Sequence, residues 1–367
     1  MKIKPFNLER YFAKYEFNTQ YLLGSSDCES LAIGDLLTLE DGTEERLREH
    51  WLGYTESQGS PDLRKEISQI YGSISPDQVL VHSGAEEAIF TFMQAALETG
   101  DHLIVHWPCY QSLYEIAASI GCRISRWEAK EENRWILDTD ELEKLVQPNT
   151  KAIVINTPHN PTGYLMSQET YLETWRIAQS QGILLFCDEV YRESEYDPTN
   201  RLPAACDFGE LGISLGVMSK SYGLAGLRIG WIATQNPDLY QKISQIKDYT
   251  TICNSAPSEF LAALALRHRE KLVGRNLKII TENLTLLDVF FTQYEDLFSW
   301  EKPSAGPIAF PRLIGRDVVE FCDQLLKDQG VMLLPGTVYD HPGNNFRIGF
   351  GRKNMPEALS HLEEFLS

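Results

Sequence analysis

Five short apolar runs, each closed by small or polar residues, limit the possible folds of this chain more than any other feature. They read QVLVH at 78–82, HLIVHW at 102–107, KAIVIN at 151–156, GILLFC at 182–187 and ISLGVM at 213–218. Short runs with so little polar alternation suit strands buried on both faces, as in a parallel sheet. Helical patterns follow the first two at 88–97 and 111–121. Strands alternating with helices predict an α/β fold with a mainly parallel sheet. Such sheets bind ligands in the crevice outside the carboxyl ends of their strands, so the residues that close each run are the place to look for chemistry.

After the first run comes Ser83-Gly84-Ala85-Glu86-Glu87, a small-residue turn opening a helix. That arrangement points free backbone N–H groups at an anion, and it also describes an ordinary capped helix. The second run leads to Pro108-Cys109-Tyr110, and the third to the turn Asn160-Pro161-Thr162-Gly163. The fourth ends at Asp188-Glu189-Val190-Tyr191. A buried carboxylate at a strand end needs a cation or several donors, whereas an exposed one needs neither. The fifth run closes with Ser219 and Lys220, followed by Gly223, Gly226 and Gly230 and by Arg228. A lysine at the mouth of an apolar strand has its charged form disfavoured, and the resulting amine can attack a carbonyl. Taken alone, a solvated strand-end lysine before a glycine-rich loop is the more common reading.

The segment VMSKSYGLAGLRIGW at 217–231 resembles the lysine segment of the fold-type I pyridoxal-phosphate (PLP) enzymes, specifically the class I/II aminotransferase family. Similar elements occur in the family's order from about Tyr54 to Arg347. The resemblance implies that Lys220 carries the cofactor and acts as the catalytic base, and that Arg228 holds the cofactor phosphate. It also implies phosphate contacts from Gly84, Ala85 and Glu86, and stacking of Tyr110 on the pyridine ring. Asn160 and Tyr191 would contact the ring oxygen, and Asp188 would face the ring nitrogen. Tyr54 would reach the phosphate of a dimer partner, and Arg347 would grip the substrate α-carboxylate in a two-bond fork; Arg352 is its local competitor. Many relatives have Ser or Thr three residues before the lysine. Here that residue is Val217, and Ser219 is the candidate to compensate.

The resemblance implies an aminotransferase acting on an L-amino acid and a 2-oxo acid. A PLP lyase or cyclase performing β-elimination or β-replacement would use the same residues. A non-catalytic PLP-sensing module would carry an N-terminal DNA-binding domain, for which residues 1–50 leave no room. The formal net charge of −19 also disfavours nucleic acid, whose phosphates need clustered Lys and Arg.

No apolar stretch approaches a membrane span, and the N-terminus lacks the apolar region of a secretory signal. Seven scattered cysteines suggest reduced thiols in a cytoplasm. No metal site is expected, since His102 and His106 bracket a strand-like run rather than share a helix face. A large domain is expected at 40–260, with a smaller one from 1–39 and 261–367. Residues 1–30 give no clear element, and 22–30 read as a loop. Helices are expected across 257–294, 317–329 and 356–366. Between Lys247 and Arg267 there is no Arg or Lys, and Tyr249 and Asn254 stand out. In the family that the chain resembles, dicarboxylate-specific members carry a second arginine in this segment for the distal carboxylate, so aspartate and glutamate are not expected here as preferred donors.

Overall fold

A computed structural model describes residues 2–367. The five apolar runs become strands β1 (Val79–His82), β2 (His102–Trp107), β4 (Thr150–Asn156), β5 (Leu184–Asp188) and β6 (Gly212–Val217). Two strands join them: β3 (Arg123–Glu128) and β7 (Gly230–Thr234). The seven lie in the order β1-β7-β6-β5-β4-β2-β3. All neighbours are parallel except that β7 runs antiparallel to both β6 and β1. β7 is thus the one reversed strand, and the carboxyl ends of the other six share one edge of the sheet.

Alternation along the strands explains the layers. Leu103, Val105, Val154 and Phe186 pack on one face with Phe92, Met93 and Leu113. Ile104, Ile153, Ile155 and Leu185 pack on the other with Tyr171, Trp175 and Ala178. Successive strand residues point to opposite faces, so a strand buried on both sides shows no polar alternation in its sequence. β3 at the sheet edge is different: only Trp127 of its six residues is buried.

The expected helices form as Ala85–Ala96, Ser112–Ile120, Ala256–Arg267, Arg269–Gln293, Val318–Gln329 and Met355–Leu366. Asp317 caps the Val318 helix by accepting from the N–H groups of Val319 and Glu320. Gly330 ends it in the left-handed conformation. A separate core gathers Tyr21, Leu23 and Cys28 with Ile280, Leu284, Phe321, Leu333, Phe346, Ile348 and Leu362. Leu261, Leu264, Leu266 and Leu272 instead pack beside Val79, Val81 and Trp231 of the large sheet. Several helices were not foreseen, among them Pro61–Ser68, Gln168–Gln181 and Pro237–Lys247, and α1 (Asn7–Tyr15), which buries Leu8 and Phe12. Among the described residues, no helix is long and apolar enough to cross a membrane.

Candidate active site

The shared strand edge opens into a cleft of about 380 Å³. Ala85, Glu86, Tyr110, Asn160, Asp188, Tyr191, Ser219, Lys220, Arg228 and Arg347 all line it. These residues come from six separate stretches of sequence, and the topology alone brings them together.

At one end the Ala85 helix presents its first turn. Gly84 precedes it with φ 88° and ψ 172°, a conformation essentially restricted to glycine. Its own N–H is donated to the His82 carbonyl at 2.9 Å, so Gly84 contributes shape. A Cβ there would sit 2.4 Å from the Arg228 guanidinium. Gly230 is held as closely from β7, where a Cβ would lie 2.7 Å from the Gly84 carbonyl carbon. The reversed β7, paired to both β1 and β6 through Gly230, therefore brings Arg228 against the helix N-terminus. The helix dipole, the free N–H groups of its first turn and a guanidinium together form an anion cradle. Ser219 lies on the cleft wall, as does the aliphatic Val217.

In the middle, Asp188 ends β5 and is 5% exposed. Its carboxylate accepts one N–H, from Val190 at 3.2 Å. Among the described residues, no cation lies within ion-pair distance of it. Burial pushes its pKa up to about 7, opposed by the Val190 hydrogen bond and the charge of Lys220. The backbone beside it is fixed: the Asp188 carbonyl accepts from Asn156 Nδ2 at 2.9 Å and from the Thr157 N–H at 3.1 Å. Lys220 Nζ donates to Ser26 Oγ at 2.8 Å. Burial lowers the Lys220 pKa; Asp27 opposes the shift and Arg347 adds to it. The Tyr191 hydroxyl donates to the Ser26 carbonyl at 3.1 Å, and burial raises its pKa.

At the other end Arg347, on the strand Phe346–Gly349, is 1% exposed. Its Nε and Nη2 donate to the Gly24 carbonyl at 3.0 and 2.8 Å. Its Nη1 donates to Asn160 Oδ1 at 3.1 Å and also to the Tyr339 hydroxyl. Tyr339 in turn donates to Asn160 Oδ1 at 2.9 Å. Arginine can only donate, so the amide oxygen of Asn160 must face it, which turns Nδ2 away. Arg347 retains one Nη2 hydrogen and, among the described residues, has no carboxylate partner. Arg352 differs, because it grips both oxygens of Asp27, at 3.1 and 2.8 Å from Nη2.

Two sequence-based candidates lie apart from the cleft lining: Gly84, behind Arg228, and Tyr54. Tyr54 is 87% exposed. Its loop is held from Ser57, whose carbonyl accepts from the buried Lys247 at 2.7 Å; Lys247 also donates to the Ile252 carbonyl. His106 stacks on His159 with centroids 3.7 Å apart, inside the core. The cleft also takes in residues for which sequence reasoning offered no role. Ser25, Ser26 and Asp27 come from the loop after β-bridged Tyr21, and Leu8, Glu9, Phe12 and Glu16 come from or adjoin α1.

The raised pKa of Asp188 fixes the sign of a pH effect. Without a ligand, the preference for the neutral form stabilises the fold below the ordinary aspartate value. That contribution is lost as pH rises through about 7. In ligand-free protein, Asp188→Asn should therefore raise Tm relative to the wild type at pH 8, and the gain should shrink towards pH 4. A gain independent of pH, measured by thermal melts across that range, would show that Asp188 is not a buried carboxylate.

Comparison with known proteins gives this geometry a family. Aminotransferase class I and II matches residues 23–362. Capreomycidine synthase of Streptomyces vinaceus is 29% identical over 366 residues, covering 98% of this chain and 93% of that protein. A PLP-dependent aminotransferase structure from Streptococcus suis superposes with TM-score 0.94 at 32% identity, covering 100% of this chain and 98% of the other. The PLP-dependent cyclase OrfR superposes with TM-score 0.91 at 28% identity, with the same coverage. With a family match over most of its length and a cleft built at the expected strand ends, the chain belongs to the class I and II aminotransferase family of fold-type I PLP enzymes.

Proposed function

We propose that this family member is an aminotransferase that moves an amino group between an L-amino acid and a 2-oxo acid. The observation that carries the reading is a pair of buried ionisable groups, Asp188 and Arg347, neither with a counter-ion among the described residues, in the same cleft as Lys220. Leaving a buried charge without a partner costs several kcal/mol, and the ligands of this reaction supply both missing partners.

The residues fit PLP, the cofactor of the family. The N-terminus of the Ala85 helix, Ser219 and Arg228 would hold its phosphate, and Tyr110 would lie on its ring. Asn160 Nδ2, turned from Arg347, would donate to the ring oxygen. Asp188 would accept from a protonated ring nitrogen, a cationic partner that returns its carboxyl to the ionised form. When bound, PLP supplies an electron sink for the charge left at the substrate α-carbon.

The chain's own part is positioning and proton transfer. Arg347 holds the α-carboxylate, which replaces part of its contact with Gly24 and Asn160. Lys220, whose lowered pKa enlarges its neutral fraction, takes the proton from Cα. Ser26 Oγ steadies Nζ at 2.8 Å. Closing the α1 side of the cleft limits water around these groups.

A second reading has support of its own. Capreomycidine synthase and the cyclase OrfR match nearly all of this chain, and elimination or replacement would use the same Lys220, Asp188 and Arg347. Half-reactions with a panel of L-amino acids separate the two. Transamination should replace the bound cofactor's visible band with that of its pyridoxamine form and release a 2-oxo acid. If no amino acid gives that change, while one bearing a β-leaving group is consumed, the lyase or cyclase reading takes its place.

We further propose that the working unit is a homodimer in a reducing, cytoplasmic compartment. All seven cysteines are unpaired, which favours such a compartment. Trp51, Leu52, Tyr54, Tyr249 and Ile252 are all exposed, from 55% to 94%. Lys247 ties their two loops side by side. Exposed apolar side chains gathered in this way mark an interaction surface, and two-fold closure is the commonest way to cover one. Sedimentation should give a dimer, and Tyr54→Phe should weaken cofactor retention several-fold. A fully active monomer would rule the dimer out.

A further inference from the structure

Each of the three cations lining the cleft has a task in the reading above: Arg228 for phosphate, Lys220 for the proton and Arg347 for the α-carboxylate. Several carboxylates at its α1 side have none. Glu9, Phe12 and Glu16 are spaced i, i+3 and i+7, which places them along one face of a helical path, and all three line the cleft. The helix that carries them is well anchored. Leu8 and Phe12 are buried, the Asn7 N–H donates to Gln111 Oε1 at 2.9 Å, and the Tyr11 hydroxyl donates to the Leu333 carbonyl at 3.1 Å.

Glu9 accepts from the Tyr110 hydroxyl at 3.0 Å, a neutral donor. Among the described residues, neither Glu9 nor Glu16 has a cation within ion-pair distance. Burial raises the carboxyl pKa of Glu16, and the charges of Asp27 and Glu9 raise it further. Asp27, on the same wall, is already gripped by Arg352. Arg352 also eases the charge on Glu16, as does Lys220.

An independent feature points to what lies beside this acidic wall. Arg347 is fully buried, faces the cleft and lacks a counter-ion, so it marks the place of a ligand carboxylate. Its guanidinium carbon is 5.8 Å from the centre of the Phe12 ring. A substrate bound at Arg347 through its α-carboxylate therefore has Phe12 as a neighbour, with Glu9 and Glu16 on either side along the helix face. A carboxylate side chain would be repelled there. A neutral one would leave two partly buried carboxylates without a cationic partner.

We propose that the substrate is an L-amino acid with a cationic side chain of the guanidinium class, lying on Phe12 between Glu9 and Glu16. A planar guanidinium uses both features, stacking on the ring and donating in fixed directions to carboxylates. This assignment rests on the reading that Arg347 binds the α-carboxylate of an amino acid.

The test uses the PLP-loaded protein and two probes of nearly equal shape, L-arginine and the neutral L-citrulline. Binding is read by calorimetry and turnover by the cofactor spectrum. L-arginine should bind about tenfold tighter or better, with a preference that weakens as salt rises. In the double variant Glu9→Gln/Glu16→Gln, which keeps an acceptor for Tyr110, the preference should vanish while L-citrulline binding changes less than about twofold. Equal or tighter binding of L-citrulline to the wild type would overturn the proposal, as would a preference that survives in the double variant. Selective binding of L-arginine with no pyridoxamine form would contradict transamination and leave the substrate class standing. Efficient transamination of neutral amino acids with L-arginine excluded would do the reverse.

Discussion

Two buried ionisable groups of opposite kind, neither given a counter-ion among the described residues, are the constraint on which this molecule's organisation depends. Asp188 and Arg347 are 5% and 1% exposed, and each, when charged, would cost several kcal/mol in an interior without a partner. Neither can relax towards water, because the surrounding hydrogen bonds fix its place. The Asp188 backbone is held by Asn156 and Thr157, and Arg347 by Gly24, Asn160 and Tyr339. Asn156 also accepts the Asn160 N–H at 2.6 Å, so one short network holds Asp188 at one side of the cleft and Arg347 at the other. On the proposed function, a ligand completes both groups.

The sheet makes this possible. Six strands end on one edge, and the single reversed strand, β7, begins there. That reversal places Arg228 beside the N-terminus of the Ala85 helix, with Gly84 and Gly230 allowing the close approach. The second core then supplies Arg347 from a strand far along the chain. Cationic groups thus enter the cleft from three directions, and α1 closes it with carboxylates.

Much of this was legible in the sequence, for a definite reason. Strands β1, β2, β4, β5 and β6 are buried on both faces, so they read as unbroken apolar runs whose ends are marked by the residues that line the cleft. β3 was not legible because it is an edge strand with the composition RISRWE, mostly exposed. β7 was hidden within a segment whose glycines and Arg228 suggested a loop. α1 escaped because its buried stripe is only Leu8 and Phe12; its remaining inward positions are Glu9 and the adjoining Glu16, which face a cleft rather than a core. The difference between Arg347 and Arg352 depends on Asp27, more than 300 residues away from Arg352 in sequence: Asp27 engages Arg352, while Arg347 has no carboxylate partner among the described residues. Pattern reading finds what a core requires, and it misses polar groups whose partners are distant or absent from the chain.

The most direct measurement of whether Lys220 carries the cofactor in this cleft is chemical. Protein loaded with PLP is reduced with borohydride, digested and mapped by mass spectrometry. The expected result is reduced cofactor covalently attached to the peptide that contains Lys220 and to no other. Attachment at a different lysine, or none under conditions where the protein retains PLP, would contradict the placement of the cofactor at this strand edge.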